Sequence, residues 1–74
     1  MEKADLTGRH PATVQIMRWF EYKHLTHEDA RLVSKTCAML AQGLVLQLPD
    51  GPELTTGLRK LLEAKDCFVR AALE

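Results

Sequence analysis

Six residues, Leu48-Pro49-Asp50-Gly51-Pro52-Glu53, separate two stretches of similar length that carry apolar residues at helical spacing. In the first, Val33, Cys37, Leu40, Leu44 and Leu48 recur at steps of three and four; in the second, Leu54, Leu58, Leu61, Phe68 and Ala72 hold the same register, interrupted by Lys65. A connection this short, with two prolines and a glycine, returns the second helix along the first. The pattern predicts an antiparallel helical hairpin from about Thr26 to Ala72.

The flanking residues supply the expected caps. Thr26 stands where its hydroxyl accepts from first-turn amides, with Asp29 reaching back. Asp50 and Glu53 repeat the arrangement for the second arm, and Pro52 falls in its first turn, where a missing N–H costs nothing. Gly43 and Gly57 are anomalous, since each costs roughly 1 kcal/mol relative to Ala inside a helix. In a hairpin folded about Asp50-Gly51 they share one level. That predicts close approach of the two helix backbones, or room for a ligand or a neighbouring subunit.

Before the hairpin, residues 1 to 9 are polar and without period, a flexible tail by expectation, and residues 10 to 74 form a single domain. His10-Pro11 opens a short helix reaching about Lys23, with Val14, Ile16, Met17, Trp19 and Phe20 as an apolar surface to lay on the open face of the hairpin, its own or a neighbour's. The fold class is all-α: a short N-terminal helix, then a long helical hairpin, assembling as an oligomer. The oligomer follows from size. A chain of 74 residues with one Trp, one Tyr, two Phe and no disulfide framework has a thin core, and two helices have no second layer.

Ten basic and ten acidic residues cancel, so no broad electrostatic footprint exists for DNA or a membrane surface. No apolar run approaches the length of a spanning helix, and Met1 to Asp5 lack the core of a signal peptide, which predicts a cytosolic protein. Cys37 and Cys67 are then thiols filling the core. No metal, cofactor or catalytic set is called for. His24 and His27 lack a Cys or acidic partner at zinc-ligand spacing, and the carboxylates Glu28, Asp29, Glu63 and Asp66 sit on polar faces with no nucleophile beside them. What remains is a junction cluster, Trp19, Tyr22, Lys23 and His24, offering aromatic faces for a base and cations for a phosphate. The competing reading makes Trp19 a core anchor and sets Tyr22 on the hairpin with its hydroxyl in water. Lys35, Arg31 and Arg70 each read alone as solvated charges. Lys65, standing in the apolar register, must snorkel out or meet an anion at a subunit interface.

The layout of Tyr22, Lys23, Leu25 and Thr26, then Leu48, Pro49 and Asp50, then Lys60, Leu61, Glu63 and Ala64, resembles the hairpin domain of phage anti-CBASS cyclic-nucleotide sponges, shared with Thoeris anti-defence sponges. The resemblance spans about residues 11 to 72. It departs at Cys67, where members often carry Trp ahead of the Val-Arg pair found here as Val69-Arg70, and at Lys35, the only match, at shifted spacing, to a lysine of the first long helix. The resemblance implies a non-enzymatic phage protein acting in the cytoplasm of the bacterial host. Such sponges form homohexamers that sequester cyclic di- and trinucleotide messengers between protomers, starving immune effectors of their signal. It implies Tyr22, Lys23 and Lys35 as ligand-binding residues and Arg70 at a separate trinucleotide site. The alternative from the residues alone is a helical-hairpin interaction or structural subunit of phage or prophage origin, with Met17, Trp19 and Phe20 as interface anchors.

Overall fold

A computed structural model describes residues 6–74. Among them the chain is all-helical: α1 (Pro11–Met17), a 3₁₀ turn (Arg18–Phe20), α2 (Glu28–Gln47) and α3 (Pro52–Leu73). Only the four residues 48–51 join α2 to α3, and these two helices form the most extensive packing in the molecule. Residues 1 to 5 of the expected tail lie outside the described residues. Leu6 packs against the core and Arg9 is held by three hydrogen-bonded partners.

The core is built from Ile16 and Phe20, from Cys37, Ala38, Ala41 and Val45 of α2, and from Leu54 and Leu58 of α3. The N-terminal segment thus docks on its own α2 and α3. The inward face of α2 differs from the expected stripe. Ala30, Ser34, Ala38 and Ala41 are buried with Cys37 and Val45, whereas Leu40 and Leu48 are exposed. Small side chains line the crossing because they let the 3₁₀ turn and α3 both approach one helix. Large leucines are left on its outside. On α3, Phe68 is likewise exposed and Leu61 half-buried.

Helix starts fall one residue later than the cap chemistry predicts. His27, not Thr26, caps α2, its Nδ1 accepting from the Ala30 amide at 3.3 Å. Gly51, not Asp50, precedes α3, and its extended backbone carries no capping side chain; Pro52 takes the first helical position as expected. His10 caps α1, Nδ1 accepting from Ala12 at 3.0 Å. That helix ends at Met17 and tightens into the 3₁₀ turn, short of Lys23, because Phe20 must turn into the core while Glu21 is already extended.

Asp50 is free for another task. Its carboxylate accepts from the His10 amide at 3.0 Å, the Thr13 hydroxyl at 2.8 Å and the Arg9 guanidinium at 3.1 Å. Arg9 also donates to the carbonyls of Val45 (2.6 Å) and Leu48 (2.8 Å). Those carbonyls close α2, where the helix lacks partners and favours a cation, and α2 has no basic residue of its own there. One arginine from outside therefore caps the helix and clasps the connection.

Among the described residues, the close approach expected at Gly43 and Gly57 is not made. A Cβ built on either would meet nothing within 4 Å.

Candidate functional site

The junction between the 3₁₀ turn and the long helices gathers most of the residues singled out from sequence. Trp19 is 65% exposed while the adjacent Phe20 is 3% exposed. A short 3₁₀ turn points consecutive side chains about a third of a turn apart, so Phe20 takes the anchoring role and the indole is left in water. Trp19 is not a core anchor. Its backbone is nevertheless fixed, because Lys65 Nζ on α3 donates to the Trp19 carbonyl at 2.8 Å.

Lys65 does not snorkel into open solvent and finds partners within its own chain. Its amine is consumed by that carbonyl, by the Phe20 ring at 6.0 Å and by Asp66 at 3.8 Å. A half-buried lysine in the apolar register serves as the bolt between α3 and the turn. Cys37 lies within its field: burial pushes the thiol up, and the Lys65 charge opposes this. Cys37 is a core filler as expected, but Cys67 is exposed, accepting from Arg70 at 3.3 Å.

Tyr22 is half-buried against the core, and Lys23 and His24 are exposed in the bend that follows. Glu21 orders this bend by accepting from the amides of Tyr22 (3.0 Å) and Lys23 (3.1 Å). Lys35 is half-buried on α2, and Arg70 is exposed on α3 beyond Lys65. An exposed indole in the 3₁₀ turn, then a tyrosine seated on the core and an exposed lysine just beyond it, therefore fall within five residues. Stacking on a base and pairing with a phosphate is chemistry such a set can perform. Lys35 sits on α2 and Arg70 on α3, away in sequence from the bend.

Away from this junction, a concavity of about 240 Å³ is bordered by His10, Ala12, Thr13, Gly51, Pro52 and Thr55. It falls below the usual size of a small-molecule site, and the Thr13 hydroxyl on its wall already donates to Asp50. It contains none of the residues expected from sequence. Among the described residues no group of three or more His, Cys, Asp and Glu side chains is placed to hold a metal ion, and no helix is long and apolar enough to cross a membrane.

Arg9 and Asp50 were invisible as a pair. They are 41 positions apart, and Asp50 before a Gly-Pro reads locally as a cap. Only the lack of a basic residue in the last turn of α2 hints that a cation must come from elsewhere.

Comparison with known protein families, with curated proteins and with solved structures finds no match to this chain.

Proposed function

We propose that this chain is a non-enzymatic sponge of phage origin, which binds cyclic di- and trinucleotide immune messengers and so blocks CBASS-type signalling in the cytoplasm of its bacterial host. In this reading α2 and α3 form an antiparallel hairpin, and copies assemble as a homohexamer. The observation that carries it is Trp19: a large aromatic face left in water on a backbone bolted to α3 by Lys65, beside Tyr22 and Lys23. Packing gives no reason for an exposed indole there, and base stacking does. Lys35, on a helix, is a preorganised cation for a phosphate and loses less freedom on binding than Lys23 in the bend. Arg70 serves a separate trinucleotide site. A buffer of this kind acts by mass action, so affinity and copy number set its effect.

Titration calorimetry with a panel of cyclic di- and trinucleotides tests the proposal, with Trp19 fluorescence as a second readout because it is the sole tryptophan. Trp19→Ala and Tyr22→Ala should each weaken binding by roughly 5- to 150-fold, as for loss of one stacked base, and Lys35→Ala should flatten the salt dependence. A parent chain that binds none of the panel sinks the reading. The alternative, a protein-interaction subunit, is favoured by the leucines on the outer side of α2. Its anchors must be revised: Phe20 is buried in its own core and is unavailable to a partner.

A further inference from the structure

The outer side of α2 carries a second apolar row. Leu32, Thr36, Met39, Gly43 and Leu46 follow one another at steps of four, three, four and three. At about 100° per residue they fall within roughly 80° of arc, facing away from Ala30, Ser34, Ala41 and Val45, which are buried. The three large members are in water: Leu32 is 53% exposed, Met39 45% and Leu46 64%. From Thr36 through Pro49 the chain carries no charged side chain. A helix that is apolar on its inner and outer sides alike is one whose surroundings are incomplete.

We infer that this row is where α2 pairs with α2 of a second copy of the chain, antiparallel about a two-fold axis at Met39. The spacing of the three large side chains is self-complementary. Leu32 and Leu46 stand equally far from Met39 on either side, with the small residues Thr36 and Gly43 between. A two-fold at Met39 sets Leu32 of one copy beside Leu46 of the other and offers each large side chain a small neighbour to enter, as an isologous contact requires. Gly43 gains a reason it lacks within the chain. Its missing Cβ leaves open space, and the helix cost of glycine is offset where another backbone comes close. With Leu40 alongside, the exposed side chains present on the order of 400 Å² of apolar surface, the size of the largest patch on a typical monomer, which is often functional. Including the polar rim of Lys35, Gln42 and Gln47, a symmetric pair would bury about 1,200 Å², the lower bound of specific interfaces. The pairing concerns only α2 and stands whether or not the junction binds nucleotides.

Sedimentation of the full chain at about 10 µM, where micromolar association is visible, should give a dimer or an even multiple of it. Met39→Glu sets like charges together at the axis and should halve the assembly, or return a dimer to monomer, with the helical circular dichroism unchanged. Orientation is read in a Cys67→Ser background. Oxidation of a mixture of Leu32→Cys and Leu46→Cys chains should give the mixed disulfide, while each variant alone should remain unlinked. A monomeric parent, an assembly indifferent to Met39→Glu, or efficient linking of either single variant to itself would each overturn the pairing. So would α2 taking up a different protein in preference to its own copy.

Discussion

Asp50 gathers three donors from a segment about forty positions away, and its ionisation follows from them. The His10 amide, then the Thr13 hydroxyl and the Arg9 guanidinium hold its carboxyl below the ordinary value of 3.8, with desolvation opposing. A depressed native value means the unfolded chain binds the proton more readily. This contribution to stability is therefore complete above the ordinary value and is lost as pH falls from there through the native one. Urea midpoints should decline across that acid window, and Asp50→Asn should flatten the decline; an unchanged slope would remove Asp50 as its source. The cysteines differ by their surroundings in the same residue-level way. Cys67 is exposed, whereas Cys37 is buried with its thiol pushed up. A thiol reagent should modify Cys67 at once and Cys37 only on opening of the core, since thiolate and access are both needed. Equal labelling of the two in native protein would contradict the buried position.

At the level of elements, three helices and the short connection were legible because periodicity and Pro-Gly punctuation are local signals. The inward face of α2 was not. Leucines draw the eye to one stripe, yet Ala30, Ser34, Ala38 and Ala41 face the core, since burial there is decided by how closely several elements must approach. Caps failed similarly: Thr26 and Asp50 have the right chemistry, but His27 and Gly51 hold the positions. Of the candidate site, Tyr22, Lys23 and Trp19 were found together because they are sequence neighbours, whereas the Lys65 bolt depends on a contact 46 positions long. Gly57 illustrates the correction in stability terms. It is exposed with nothing within 4 Å of a built Cβ, so Gly57→Ala should raise α3 and the protein by roughly 1 kcal/mol. Chemical denaturation that shows a loss instead would mean that the space beside it is occupied.

For the whole molecule, two kinds of contact differ in when they can form. α2 and α3 meet across a connection of four residues, whereas Arg9, His10 and Thr13 must find Asp50 across 37 to 41 positions. Closing the longer loop costs more entropy, and its reward arrives only after α2 exists. On a ribosome the donors emerge first and have no acceptor until residue 50 follows. A helix of seven residues cannot hold itself meanwhile. The clasp is thus a late event on the folding path. Stopped-flow measurements on Asp50→Asn should show faster unfolding with the refolding rate nearly unchanged, and slowed refolding would place the clasp in the nucleus instead. The carboxylate that looks like the start of a helix then governs how long the folded state lasts, and hardly how fast it is reached.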